Sequence, residues 1–417
     1  MKKEEKTGFI DFIKKSATSF HTVEVMKELL KKKGFNELHP EEKWSLCENS
    51  GYFIIKNGAM FAFKTPKNDL KKAILFCSHT DSPGLKIKHQ QQKPLSGHEV
   101  IGVEVYGAPL LYTWVDQVVY PAGIVYTRGA TGIDFHLVEL NRDKVLIPPL
   151  AIHLDRDVNH KGALFNKQTD LNPLFSTKKS FLSHLKDQFK NEILGFDLFL
   201  VPEIPCQSFG EEEEFLAAYR IDNLSSVYAS LNSLIEVENQ AESLHGALFF
   251  DHEEIGSSTL EGAHSKFFDE MLRRICLNLK KDEESFYQMK ARTVAFSLDV
   301  AHAVHPFHPT KHDLESPPYL KKGPVIKFSA GKKYATTAHL ASKIEWLKGS
   351  IPTQNFYPHG ELGSGSTVGP IFAAGHGIET LDMGIPILSM HALKEVMAYE
   401  DLHSFQLLLQ KIVRELS

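Results

Sequence analysis

Four apolar runs in this chain each end on, or lead into, a residue able to ligate a metal. No other feature constrains the fold as much. AILFC leads to His79, ALFFD to Glu253 and Glu254, VAFSLD closes on Asp299, and PILSM precedes His391. Short apolar runs bounded by polar residues read as strands buried on both faces. The segments NLSSVYASLNSLIEV, SKFFDEMLRRICLNL, ATTAHLASKIEWLKG and YEDLHSFQLLLQKIVREL supply the cover, with apolar residues at helical spacing. Strand and helix alternating in this way predict an α/β fold: a mostly parallel central sheet flanked by helices. Such sheets bind ligands beyond the carboxyl ends of their strands, where all four run ends fall.

The pattern changes midway. Residues 8–35 read as two amphipathic helices stopped at Gly34, followed by the strand runs YFIIK, AMFAFK and KKAILFCSH. From Lys88 to Cys206 the chain turns to short alternating stretches such as HEVIGVEVYG, WVDQVVYPAGIVYTR and FHLVELNRDKVLIP. This predicts a β-rich insertion over 88–206 within a domain formed by 1–87 and 207–417. A chain of 417 residues has room for both units. The acidic stretch GEEEEF over 210–215 reads as a solvated loop where the chain returns to the first domain.

Composition removes several function classes. A net charge of -5 gives no electrostatic footprint for nucleic acid. Cys47, Cys77, Cys206 and Cys276 are widely spaced with no C-x-x-C pair, so they read as reduced, buried thiols of a cytoplasmic protein. Cys77 falls inside AILFC and is assigned to the core. The start, MKKEEKTGFIDFIKK, has no apolar h-region, and no run has the length of a membrane span.

Asp222, just before the helical run NLSSVYASL, completes a set of five candidate ligands: His79, Asp222, Glu254, Asp299 and His391. Two imidazoles and three carboxylates suit two zinc-like ions, with one hydroxide bringing the cluster to neutrality. One carboxylate must bridge, since five side chains cannot otherwise give each ion three ligands. Water on zinc titrates near ~7, which points to metal-assisted hydrolysis. Glu253 and Glu254 are adjacent, so their side chains diverge. Glu253 is assigned as general base and Glu254 as ligand, a choice that spacing does not decide. Asp81, in HTD, either accepts the second ring N–H of His79 or caps the turn at SPG.

At these residues the chain resembles the aspartyl aminopeptidase/aminopeptidase I family of dinuclear zinc peptidases. The matching stretches include FHTVEVMKELL, SHTDSPGLKIK, LIPPLAIHLDRDVN, RIDNLSS, DHEEIGSSTL, SLDVAHAVHP, GPVIKFSAGKKYAT and SMHALKE, in the family's order over nearly the whole chain. The resemblance implies that Asp222 bridges, that His79 and Asp299 complete one metal site, and that Glu254 and His391 complete the other. Glu253 is then the base. His153, in AIHL, matches a histidine projected into a neighbouring subunit's active site to hold the substrate carbonyl. The insertion becomes a dimerisation domain, and dimers assemble into a tetrahedral dodecamer. The implied substrates are peptides, cut one N-terminal residue at a time, and the implied cofactors are two divalent ions: zinc, with manganese or cobalt as substitutes. The chain departs from the family pattern at HPFHPTKHD, at the ELGSGSTVGP loop and at Ala392. None of these is a proposed ligand, so the departures bear on substrate preference.

Lys327, in GPVIKFS, is either a cation facing an acidic first side chain of the substrate or a surface lysine on a strand. His302, His305, His308 and His312 lie in a stretch broken by Pro306 and Pro309, so His308 and His312, though four apart, do not read as a helical ligand pair. They read as loop-structuring residues. The GSGSTVG stretch over 363–369 has no P-loop lysine and reads as a loop lining a substrate cleft. Competing readings are an aminopeptidase preferring neutral Leu or Met N-termini, a deacylase or carboxypeptidase on the same scaffold, and a non-catalytic assembly protein.

Overall fold

The computed structural model describes residues 3–90 and 94–417. Among these, the strands form sheets of nine, eight and five members. The nine-stranded sheet runs in the order Asn36–Glu37, Gly51–Lys56, Ala59–Lys64, Ser243–Phe250, Lys72–His79, Val294–Leu298, Glu379–Gly384, Val325–Lys327, Gln354–Phe356. The four central strands from Ser243–Phe250 to Glu379–Gly384 are parallel, and the flanking pairs are mixed. Register sets up the site. Phe250 lies opposite His79, Ser297 opposite Cys77, and Leu298 opposite Met383. Residues just past these strand ends therefore emerge along one edge.

Alternation along the strands divides the core into two layers. Ile74 and Phe76 point to one face, under the helices Lys3–Lys15, Ser19–Lys32, Ile221–Glu236, Ala338–Leu347 and Tyr399–Leu416. Ala73, Leu75 and Cys77 point to the other, under Phe267–Asn278, Glu283–Arg292 and Val368–His376. The α/β architecture read from the apolar runs is the one observed.

The eight-stranded antiparallel sheet has its own core around Trp114, Val119, Ala122, Leu198 and Leu200. It begins earlier than the sequence pattern suggested. Gly84–Ile87 pairs with Val103–Tyr106 and with Ile193–Pro202, so the sheet spans 84–202 rather than starting at 88. Four residues are too few to show a period, and only the distant partner reveals the strand. Gly384 allows another close approach: a Cβ there would lie 2.0 Å from the Asp299 carbonyl oxygen. Glu211, Glu212 and Glu213 are exposed at the turn before Phe215–Ala218, as a solvated loop requires. All four cysteines are free, but Cys47 is exposed, contrary to the reading of four buried thiols. It sits in an irregular stretch rather than in an apolar run. Among the described residues no helix is long and apolar enough to cross a membrane.

One buried group makes stability pH-dependent. His245, on Ser243–Phe250, is 1% exposed, stands edge-on to Phe76, and has no hydrogen-bond partner at either ring nitrogen. Burial, followed by the nearby Lys64 charge, pushes its pKa down to about 3. In the unfolded chain it takes up a proton near pH ~6.5, so stability is lost as pH falls below that value. His245→Phe should therefore gain about 2–3 kcal/mol relative to wild type between pH 7.5 and pH 4.5, read by urea unfolding at both. A difference below about 0.5 kcal/mol would show that His245 is not held neutral.

Candidate metal centre

The parallel register delivers His79, Glu253, Glu254 and Asp299 to one edge. His79 is the last residue of its strand, and Asp299 follows Leu298. Glu253 and Glu254 begin a short 3-10 turn entered through His252, whose φ of 64° is left-handed. Asp222 enters from the start of Ile221–Glu236, where its own φ and ψ are not yet helical and its peptide bond to Asn223 is cis. His391, with φ 66°, comes from the turn between Pro386–Leu388 and Glu395–Ala398. Non-glycine residues at such angles store strain of order 1–3 kcal/mol, which the surrounding contacts must hold in place.

The five candidate ligands converge. His79 Nε2 lies 3.3 Å from Asp222 Oδ1 and 3.8 Å from Asp299 Oδ1. His391 Nε2 lies 3.5 Å from Asp222 Oδ2 and 3.4 Å from Glu254 Oε2. The two carboxylate oxygens of Asp222 thus face different imidazoles. Three overlapping triads could each hold an ion: His79, Asp222 and Asp299; Asp222, Glu254 and His391; and His79, Glu253 and Glu254.

The donor set fits divalent metal. Two ligands at ~2.0–2.2 Å from one tetrahedral ion stand roughly 3.3–3.6 Å apart, the spacing of three of these four pairs, with His79–Asp299 slightly wider. Despite their proximity, His79 Nε2 and Asp222 Oδ1 are buried without a well-formed hydrogen bond. Both imidazoles also have their other nitrogen engaged. His79 Nδ1 donates to the Asp81 carbonyl at 3.1 Å, and His391 Nδ1 to the Ala108 carbonyl at 3.1 Å. In the neutral rings this leaves each Nε2 lone pair free for a cation.

The electrostatics record the same surplus of negative charge. Burial, and then Asp222, raises Glu254 well above the carboxylate range, against the pull of His391. Burial raises Glu253 to about 8, opposed by His79 and reinforced by Asp299, Asp81 and Asp222. Asp222 is also buried, but its contacts with His391 and His79 outweigh the burial and hold it low. A divalent cation would relieve this crowding.

Asp81 does more than either expectation. Its carboxylate stands 3.4 Å from His79 Nδ1, and it also accepts from the amides of Glu253 and Glu254 at 3.1 Å each and from the Tyr106 hydroxyl at 2.8 Å. Lys327 is not a solvated surface lysine. It is 3% exposed, with Nζ 3.3 Å from Asp299 Oδ2, and it lines a cavity of about 250 Å³ with the candidate ligands, Tyr334, Phe356, Thr367 and Met390. Burial opposes its charge, yet Asp299, with Tyr334, Asp382 and Asp222, raises its pKa. Gly365 and Ser366 line the same cavity, as expected of a cleft loop. His153 is exposed and is not part of that wall.

Sequence reasoning missed two residues that brace the centre. Glu395 is 2% exposed, and its carboxylate accepts from the backbone amides of both Asp222, at 2.8 Å, and His391, at 2.7 Å. Arg220 is buried and donates to the carbonyls of Ser16 and Thr80 and the hydroxyls of Thr22 and Ser82, tying the first helices to the His79 strand end. Glu395 follows His391 by four residues, a spacing that offered a hint. Arg220 gave none.

Imidazoles and carboxylates at ligand spacing, set on the strand ends of an α/β sheet, mark the class of metallohydrolases. Comparison with known proteins narrows the class. A family model described as aminopeptidase I zinc metalloprotease (M18) matches residues 12–412. A probable M18 family aminopeptidase 2 from Clostridium novyi is 34% identical over 411 residues, covering 94% of each chain. A structure of Ape4 in complex with Nbr1 superposes with TM-score 0.92 at 29% identity, covering 97% of this chain and 84% of that one. A structure of the S. cerevisiae mApe1 dodecamer superposes with TM-score 0.85 at 23% identity, covering 98% and 96%. This chain belongs to the M18 family of zinc aminopeptidases. The deacylase, carboxypeptidase and non-catalytic readings therefore give way to a metal-dependent aminopeptidase.

Glu395→Gln tests the brace. An amide cannot accept from two N–H groups with both of its heads, so one ligand backbone should loosen. The variant should give up bound divalent metal at a chelator concentration roughly ten- to a hundredfold lower than wild type, read by metal analysis after dialysis. Unchanged retention would show that Glu395 does not hold the ligands.

Proposed function

We propose that this protein removes single N-terminal residues from peptides at a dinuclear centre, with Glu253 as general base. The observation that carries this reading is Asp222, one oxygen toward His79 and the other toward His391. His79 and Asp299 would hold one ion, Glu254 and His391 the other, and Asp222 both. Zinc is the ion that the family description favours, with manganese or cobalt as substitutes. When bound, such ions polarise a peptide carbonyl and make water a nucleophile near neutral pH. Glu253 takes the proton from the attacking water and returns it to the leaving amine nitrogen. Asp81 positions Glu253 through its amide, and Glu395 positions Asp222 and His391.

Lys327 is the only Lys or Arg among the described residues lining the cavity, which favours Asp or Glu as the first residue of the substrate. A second preference rests on a specific contact. Lys327 is already paired with Asp299, and Phe356 and Met390 share its wall, an arrangement suited to Leu or Met. The segment 88–206 acts as a dimerisation domain in this reading. Its edge strand Ile133–Glu139 carries Ile133 and Phe135 at 67% and 69% exposed, as a surface buried between copies would. His153, between the exposed Ile152 and Leu154, reaches the substrate carbonyl of a neighbouring subunit, and dimers build a tetrahedral dodecamer. Free thiols and the absence of a membrane-crossing helix among the described residues accord with a cytoplasmic setting.

Two measurements decide these points. Glu253→Gln should keep metal content and assembly while lowering kcat by roughly 10²–10⁴-fold. Persistent turnover would remove Glu253 as base. A matched panel of Asp-, Glu-, Leu- and Met-aminoacyl reporters, before and after chelation and metal restoration, reads out the first-residue preference. Cleavage of Asp and Glu that is lost in Lys327→Met supports the acidic pocket, whereas cleavage of Leu and Met alone removes it.

A further inference from the structure

Beside the metal cavity lies a second one, of about 340 Å³, which shares His302, Phe356 and Met390 with it. The two differ sharply in charge. The metal cavity is crowded with carboxylates, whereas among the described residues no Asp or Glu lines the second. Lys311, His305, His312 and His359 stand in its wall instead.

Backbone contacts fix the sense of the imidazoles. The amide of Phe307 donates to His305 Nδ1, that of His305 to His312 Nε2, and that of Glu361 to His359 Nδ1, each at 3.3 Å. A nitrogen that accepts carries no proton, so in the neutral ring the other nitrogen is an N–H donor. Each of the three rings therefore has one donor left over, beside the fixed charge of Lys311. Burial, with His305 and His359 nearby, holds His312 below the ordinary histidine range, so it serves as a neutral donor. Donors and a cation with no competing acceptor make a site for an anion, and for a peptide that anion is a carboxylate.

We propose that this vestibule receives a carboxylate of the peptide beyond the scissile bond. The carboxylate is either the C-terminus of a short peptide or an Asp or Glu side chain at the third position. The proposal rests on the aminopeptidase reading above and adds a preference on the leaving side. Acidic metal-cavity walls repel such a group, and the vestibule draws it aside, which orients the chain as it leaves.

The test uses the metal-loaded enzyme and tripeptides that share a first residue. One pair differs only in a free or amidated C-terminus, and a second pair, both amidated, in Glu or Gln at position three. The expected kcat/KM ratio of acid to neutral partner is at least fivefold in one pair, carried mainly by KM. In Lys311→Met combined with His359→Gln it should fall below twofold. Each ratio comes from one preparation, so partial misfolding cancels. The pair that responds names the source of the carboxylate. Ratios near one in both pairs, or a ratio unchanged in the double variant, overturn the vestibule. An aminoacyl reporter with no leaving-side carboxylate separates the two readings: reporter turnover with flat ratios defeats only the vestibule, and no reporter turnover by the wild-type enzyme defeats both.

Discussion

The centre depends on one buried carboxylate, that of Asp81. It accepts from two consecutive amides, Glu253 and Glu254, and from Tyr106, while the carbonyl of the same residue holds His79. One residue thereby fixes two adjacent strand ends to each other and to the second sheet. Glu395 does the same on the opposite side for Asp222 and His391. Burying a carboxylate costs several kcal/mol unless its lone pairs are filled, and here they are filled by backbone donors that cannot swing away, joined at Asp81 by the Tyr106 hydroxyl. The ligand positions are held by main chain rather than by flexible side-chain contacts. This is how several residues at left-handed or irregular backbone angles are kept in place.

The same arrangement concentrates negative charge where little balances it. Asp222, Glu253, Glu254 and Asp299 surround two imidazoles, with Lys327 the nearest ammonium. The fold therefore carries an electrostatic debt that cations resolve, and its stability and its chemistry share one origin. Arg220 is charged and buried nearby, yet its contacts are carbonyls and hydroxyls, so it braces the strand ends without neutralising the ligands.

Much of this was legible in the chain. The strand-end candidate ligands could be read because apolar runs fix where strands stop, and parallel register then brings the stops together. Asp222 had no such run, and the bridging role proposed for it came from resemblance alone. What escaped was set by non-local pairing. Tyr106 meets Asp81 only after the second sheet folds back, and Glu395 meets Asp222 across 173 residues. The strand Gly84–Ile87 was too short to announce itself, and the helix Glu283–Arg292 buries only Phe286 and Met289, too thin a stripe to stand out.

The candidate ligands are spread from His79 to His391, with the whole second sheet between the first and the rest. During synthesis the first imidazole leaves the ribosome long before any partner exists, and the last follows only after the whole second sheet. A chain that stops before His391 holds at most part of the set. If the five act as proposed, hydrolytic competence arrives only after the second sheet and His391 have both been made, and a chain stopped short of them cannot cut its neighbours.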